Sequence, residues 1–582
     1  RNQFRTTLNI PNNYIGMQRA TCYIAGLGYH RSFVNGIRLG NPNNTLGQSL
    51  QFQRKIPYET YDVLNLLKPG KNVLSILLGR GWYTLPEDNF TRVLGYRTLG
   101  PRSLKVSCRA ILNNGKQLLL FTTGKSSTWR VSAGELVFDH LFLGPTIDKR
   151  KATIGWKTVD YDDSKWDVVV LQKNDDPTGI LTSYIMPKVQ KYQPRFPIAI
   201  KRIQEQNTTN FVLDFEFNQA MQCTLRYHSD GTDEGVTLRL HHAEQVDVNG
   251  DIIISNDLGG VEDQTTFILS NATGFQNFET KFSYFGARFV KISGWPENKK
   301  EPGLDIMTCY FVHTSLSGKS SIKFYSPETS NTANILNGIH EITMRSALSN
   351  YMSTPTDCPS REKRGWTGDG QTAAETLIYS FDMSSAYPKW LGDIVDAQQC
   401  NFRAPPRKCP DENPFCRIQG DHSNIPEMTP FLFGGVLDGC QSGSDPAWGS
   451  GFIAIVDWVY RYYGDTQTLK WHYSAGAAYL DYLLQYVNTT SSSLLDLNYP
   501  TTRYGDWCAP LPLGNTQARH TSNIINGFFW IKQLRIMTDA AKTLGFTKDE
   551  EKWSTLETHA SKSFNELYFS KKKGLYEDIE CM

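Results

Sequence analysis

Residues 356–371 read TDCPSREKRGWTGDGQ. The 13 positions from Asp357 to Asp369 hold three carboxylates (Asp357, Glu362, Asp369), two arginines (Arg361, Arg364) and Trp366. Pro359 and the glycines Gly365 and Gly368 predict a shaped loop rather than a helix. Such a density of charge around an embedded aromatic belongs to binding and catalytic loops. The plainer alternative is a capped, salt-bridged turn between two helices.

Outward from this stretch the pattern differs on its two sides. From Ser326 onward the apolar spacing is helical. SPETSNTANILNGIHEITMRSALSN places Ile335, Ile339, Ile342 and Met344 near one face, with a helix start expected at Ser326-Pro327-Glu328. GQTAAETLIYSF, GFIAIVDWVYRYYG, WHYSAGAAYLDYLLQYV, NIINGFFWIKQLRIMTDAAKTLG and DEEKWSTLETHASKSFNELYF continue the same period. No short repeat is visible, which argues against a solenoid. Before Ser326 the period is two. ATCYIAGLGYHRSFVNGIRLG alternates and turns at Asn35-Gly36, LKVSCRAILNNGKQLLLFTT turns at Asn114-Gly115, and GVTLRLHHAEQVDVNGDIII turns at Asn249-Gly250. WKTVDYDDSKWDVVV closes the first of these regions. The division expected is a β-sandwich over 1–192, a second over 193–316 and a helical toroid over 317–582.

The chain has 582 residues, too many for one hydrophobic core. Aromatics make up 12%, which suits strand-rich cores and also suits sugar-stacking sites. Sixty basic residues against 58 acidic leave a net charge of +2 with no basic run beyond Lys571-Lys572-Lys573, so nucleic acid is excluded as a partner. No apolar run approaches the roughly 18 residues of a membrane helix, and Arg1-Asn2-Gln3-Phe4-Arg5 has no signal core. Cys400, Cys409, Cys416 and Cys440 crowd a Pro- and Gly-rich stretch; their spacing lacks the close pairs of a zinc site and favours disulfides. Eleven cysteines leave one over, and Cys581 is a candidate for it. Five N-x-[ST] sequons stand at Asn43, Asn89, Asn207, Asn271 and Asn488. With the cysteines they point to N-linked glycans and to a secreted, extracellular or secretory-lumen location.

Cleaving a glycoside requires two carboxyl groups, one donating a proton to the leaving oxygen and one attacking the sugar or activating water. A Glu that stays protonated at neutral pH requires burial or neighbouring carboxylates, and Asp357 and Asp369 flank Glu362. Carboxylates also accept hydrogen bonds from sugar hydroxyls. The stretch resembles the signature of glycoside hydrolase family 78, the α-L-rhamnosidases: Asp-Cys-Pro-x-Arg-Glu-x-Arg-Gly-Trp-x-Gly-Asp, complete here. LGYHRSFVNGIRLG, YDVLNLLKPGKNVLSILLGRGWY, FVLDFEFNQAMQCTLRY, LRLHHAEQVDVNGDI and FSYFGARFVKISGWP resemble the family's sandwich regions in order, and DPAWGSGFIAIVDWVYRYYGD and RYGDWCAP its barrel. The resemblance implies a multidomain α+β fold, with two or more N-terminal β-sandwiches, the first galactose-binding-like, ahead of an (α/α)6 barrel. It implies exo-acting, inverting hydrolysis of terminal α-L-rhamnosyl residues. It places Glu362 as general acid, Asp357 and Asp369 on the rhamnose hydroxyls, Trp366 in the sugar site, and Arg361 and Arg364 as orienting groups, with Trp448 and Trp507 as further sugar contacts. No organic cofactor or metal is implied; the residues leave open a calcium ion in the sandwiches, the oligomeric state and the aglycone.

Two departures stand out. Ser450 replaces the Asp that family members commonly carry after Trp-Gly. The family's base, a Glu roughly 260 residues after the acid, falls past Met582, so the reading expects a barrel truncated at its C-terminus and no base opposite Glu362 among these residues; Glu427 and Glu375 are the nearest candidates. The competing readings are a non-catalytic glycan-binding or extracellular matrix protein on this scaffold and a glycosidase of different sugar specificity.

Overall fold

The computed structural model describes residues 1–12, 16–85, 98–124, 128–172, 177, 179–205, 208–254, 263–327, 331–398, 424–430, 445–487, 494, 504–505, 507 and 522–576. The chain divides into two compact units: Arg1–Ser315, Phe324–Ser353 and Cys358–Lys363 form the first, and Leu316–Lys323, Thr354–Asp357 and Arg364–Met582 the second.

The first unit is β-rich. A six-stranded sheet has Gln3–Ile10, Gly70–Leu78 and His30–Val34 at its centre, and a five-stranded sheet has Lys55–Asp62, Met17–Leu27 and Ser103–Leu112 at its centre. Their alternating inward residues, among them Ala20, Cys22, Ile24, Val34, Leu74, Ile76, Val106 and Cys108, make one core. Arg5 is fully buried beside it, donating to Asp163 Oδ2 (2.7 Å) and to the carbonyls of Trp156 (3.0 Å), Thr158 (2.7 Å) and Tyr161 (3.0 Å). An eleven-stranded sheet is built on the 22-residue strand Thr208–Ser229, which pairs Phe285–Ser293 and Met307–Thr314. The short strands Asn44–Leu46, Leu136–Phe138 and Thr146–Asp148 join this sheet. Disulfides Cys22–Cys108 and Cys223–Cys309 each tie two directly paired strand positions.

The predicted Asn35-Gly36 hairpin forms with both residues at positive φ (50° and 86°), the geometry of a two-residue turn matched to strand twist. Gly115 (φ 79°) turns Ser103–Leu112 into Gln117–Thr122. At Asn249-Gly250 the turn is present, but its flanks meet in the isolated bridge Val246↔Ile252. The stretch 156–170, expected to close a strand region, is mostly turn, with Asp167–Val168 its one short strand.

Helix α1 (Thr332–Ser349) belongs to the β-rich unit. It begins six residues after the expected Ser326 start, behind Asn331. Most of its expected apolar face is open among the described residues: Ile335, Ile339 and Ile342 are 55%, 52% and 64% exposed, while Met344 is half-buried. Polar contacts hold it to the sheet instead. Arg345 donates to Gln219 Oε1 (2.8 Å) and lies over the Phe217 ring, and Ala220 N donates to Ser349 Oγ (3.2 Å).

The second unit is helical: α2 (Thr367–Ser380), α3 (Ala386–Gln398), α4 (Pro446–Tyr463), α5 (Thr466–Leu484), α6 (Ser522–Leu544) and α7 (Thr547–Tyr568). Helix α4 shows why its ends fall where they do. Asp445 caps it by accepting from Ala447 N (2.9 Å), Pro446 needs no donor in the first turn, and Gly464 closes it in the left-handed region (φ 68°). Helix α3 has no counterpart in the sequence reading, because its short run opens on Pro388 and a charged pair. Lys389 and Asp393, both buried, meet there at 2.6 Å. No described helix is long and apolar enough to cross a membrane.

Candidate active site

In the helical unit the signature stretch lies against the segment 424–430. Thr367 N donates to Glu427 O (2.8 Å), Thr429 N donates to Gly365 O (2.8 Å), and Trp366 and Met428 form a β-bridge. Gly365 is required because a side chain there would collide with the Thr429 carbonyl. The stretch expected as a loop through residue 371 turns helical earlier: α2 begins at Thr367, so Asp369 stands exposed in its first turn. Asp357 is fixed by a reciprocal pair, with Arg364 N donating to Asp357 Oδ1 (2.8 Å) and Asp357 N donating to Arg364 O (3.0 Å).

Trp448 is placed in the first turn of α4 rather than in a loop, and Ser450 follows it in the same helix. A Cβ on Gly368 would come within 2.7 Å of the Trp448 indole, so the glycine lets the ring lie on the backbone of α2. Trp366, Trp448 and Trp507 all surround Tyr504, at centroid distances of 6.2, 4.6 and 5.6 Å. Three tryptophans expected from separate stretches thus share one aromatic cluster. Tyr504 OH donates to Glu427 Oε2 (2.9 Å), and Asp445 N lies 3.4 Å from Glu427 Oε1. Glu427 and Asp445 are buried, and burial, with the Glu427 charge adding to it, pushes the Asp445 carboxyl up to about 7. Sequence reasoning missed Asp445 and Tyr504 as site-linked residues; the only local signals were an Asp ahead of Pro-Ala-Trp and a Tyr beside Gly-Asp-Trp. Glu375 is engaged by Tyr462 OH (2.6 Å). Ser450 Oγ lies 2.9 Å from Gln371 Oε1 and 2.7 Å from Ala447 O, its one proton shared between them, which ties α4 to α2.

Residues 358–363 of the signature belong to the β-rich unit. Glu362 is half-buried, with its N–H donating to Cys358 Sγ (3.2 Å), and Arg361 is exposed. Lys363 is buried, and its ammonium donates to Leu141 O (2.9 Å) and Tyr284 O (2.7 Å). Of the sequons, Asn43 and Asn271 are exposed. Asn89, Asn207 and Asn488, the cluster Cys400, Cys409, Cys416 and Cys440, and Cys581 lie outside the described residues.

Three family models match in succession: the α-L-rhamnosidase N-terminal domain over residues 16–193, the bacterial α-L-rhamnosidase concanavalin-like domain over 204–313, and the bacterial α-L-rhamnosidase six-hairpin glycosidase domain over 327–580. The chain belongs to the α-L-rhamnosidase family.

An α-L-rhamnosidase of Streptomyces avermitilis is 27% identical over 569 residues, covering 97% of this chain and 48% of its own length. One from Formosa agariphila is 26% identical over 525 residues, covering 87% of this chain and 49% of its own. The chain therefore spans about half the length of the curated relatives it matches. Among solved structures, α-L-rhamnosidase from Dictyoglumus thermophilum superimposes with a TM-score of 0.80 at 27% identity, over 98% of this chain and 56% of that one. The Streptomyces avermitilis α-L-rhamnosidase complexed with L-rhamnose gives 0.80 at 25% identity, over 99% of this chain and 49% of that one. The fold is accordingly the rhamnosidase one, β-rich N-terminal domains followed by a helical domain of the (α/α)6 glycosidase type.

Proposed function

We propose that this rhamnosidase-family chain serves exo-acting, inverting hydrolysis of terminal α-L-rhamnosyl residues on a rhamnose-containing glycan or glycoside. Glu362, by its place in the signature, donates the proton to the leaving oxygen. Asp357 and Asp369 accept hydrogen bonds from the sugar hydroxyls, and Arg361 orients the carboxylates. The observation that carries the reading is the aromatic cluster. Trp366, Trp448 and Trp507 gather around Tyr504, as a wall for an apolar sugar face does, at the start of the helix that bears Asp369. Inversion demands a second carboxyl about 6.5–9.5 Å from the acid, with water between them. We assign that role to neither Glu427, held by Tyr504, nor Glu375, held by Tyr462.

The expected boundaries 1–192, 193–316 and 317–582 are proposed as the evolutionary domains. Secretion, with N-linked glycans at Asn43 and Asn271, fits two exposed sequons and two disulfides. The reading as a non-catalytic glycan-binding or matrix protein rests on the cluster Cys400, Cys409, Cys416 and Cys440, which lies outside the described residues, and on Ser450. That hydroxyl joins two helices, a structural task that leaves the signature carboxylates in place. Proton NMR of the first sugar released from an α-L-rhamnoside tests the proposal: β-L-rhamnose must appear before mutarotation. Initial α-L-rhamnose would exclude inversion, and release of a rhamnose-bearing disaccharide would exclude exo action.

A further inference from the structure

Lys363 bears two costs at once. Lysine is almost never fully buried without partners, yet Lys363 is 1% exposed. Its backbone sits at φ 55°, a region that residues with a Cβ rarely occupy. A glycine would relieve the second cost and an apolar side chain the first. What the lysine supplies is a tether. Two of its three N–H donors reach the main-chain carbonyls of Leu141 and Tyr284. The ammonium also lies over the rings of Tyr284 (4.6 Å), Phe285 (5.0 Å) and Phe142 (5.5 Å). All of these partners belong to the β-rich unit, as does the segment Cys358–Lys363 itself.

The other end of that segment is fixed as well. A Cβ on Gly286 would come within 2.6 Å of Pro359 Cγ, so the proline ring is seated directly on a sheet strand. The Glu362 N–H closes the turn onto Cys358 Sγ. Glu362 thus lies between two anchors, with its Cα one peptide, about 3.8 Å, from that of Lys363.

We propose that Lys363 is a positioning residue for Glu362: its buried ammonium, gripped by the carbonyls of Leu141 and Tyr284, sets the acid-bearing segment with the precision of a sheet rather than of a free loop. This rests on Glu362 being the proton donor. A loosened acid loses most where protonation of the leaving group matters most, because a displacement near 1 Å costs on the order of 10²-fold.

The test uses the natural protein and two substrates, an alkyl α-L-rhamnoside, whose alkoxide must be protonated to leave, and 2,4-dinitrophenyl α-L-rhamnoside, whose phenolate leaves unaided. Lys363→Met is expected to lower kcat about 10- to 10²-fold on the alkyl substrate and under about threefold on the dinitrophenyl one, with KM little changed. Equal losses on both substrates, or no loss on either, would overturn the proposal. Glu362→Gln is measured on the same pair. If it lacks that selectivity, the acid assignment itself fails, whatever Lys363→Met shows. Should Lys363→Met not fold, Phe142→Leu removes one ring from the ammonium and leaves the loop sequence intact; it must show the same selectivity in smaller measure, and its absence there overturns the proposal.

Discussion

Replacing Asp445 by Asn is expected to make the protein more stable above neutral pH and to change how its stability depends on pH. Asp445 is fully buried, and its carboxyl is pushed from an ordinary 3.8 up to about 7, first by desolvation. At about 1.4 kcal/mol per tenfold in proton affinity, that separation means the charged form costs on the order of 4 kcal/mol once it is imposed. The sign follows from the direction of the shift. Between about pH 4 and 7 the folded protein holds a proton that the unfolded chain has lost, so this group's contribution to stability falls as pH rises through the window and is lowest above 7. Asn keeps an oxygen for Ala447 N at the start of α4 and remains a good N-cap. Urea denaturation of both proteins at pH 5 and pH 8 should therefore show the variant gaining about 2–3 kcal/mol on the parent between the two pH values. The comparison subtracts groups that the variant leaves alone. These include His242 and His313, pushed down to about 3 and about 4 by burial, whose contributions run the opposite way over much of this range, and Asp263, raised to about 7. Parallel stabilities at the two pH values would refute the reasoning.

Two further substitutions probe the scaffold and the aromatic cluster. Arg5→Met removes the partner of Asp163 and leaves the carbonyls of Trp156, Thr158 and Tyr161 without that donor, so a loss of about 3–5 kcal/mol is expected in chemical denaturation. Gly368→Ala puts a methyl 2.7 Å from the Trp448 indole and should displace it, raising KM for rhamnosides about tenfold with the fold retained by circular dichroism.

The signature was legible because its chemistry is local: Asp357, Glu362, Trp366 and Asp369 are near neighbours in the chain and need no distant partner to be noticed. The sandwich hairpin at Asn35-Gly36 was legible for the same reason, since the turn residues declare their own backbone angles. What could not be read depends on separation in sequence. Glu427, Asp445 and Tyr504 meet through bonds spanning 18 and 77 residues, with no periodicity to announce them. The start of α2 at Thr367 was hidden by Gly368 and Gly370, which spell a loop locally but serve close approach by Trp448 and Trp390. In α1 the periodicity of Ile335, Ile339 and Ile342 was real, but that face is open among the described residues and Arg345 does the fastening. Lys363 occupies a variable position of the signature, and neither its burial nor its positive φ leaves a mark on the sequence.

The most direct measurement of Glu362's role is release of chromophore from a chromogenic α-L-rhamnoside by the natural protein and by its Glu362→Gln variant, with an α-L-arabinoside and a β-D-glucoside as controls. Rhamnose-selective release by the parent is expected, with a loss of about 10²–10⁴-fold in the variant and rhamnose still bound. Turnover by Glu362→Gln equal to the parent's, or no rhamnose-selective release by the parent, would contradict that role.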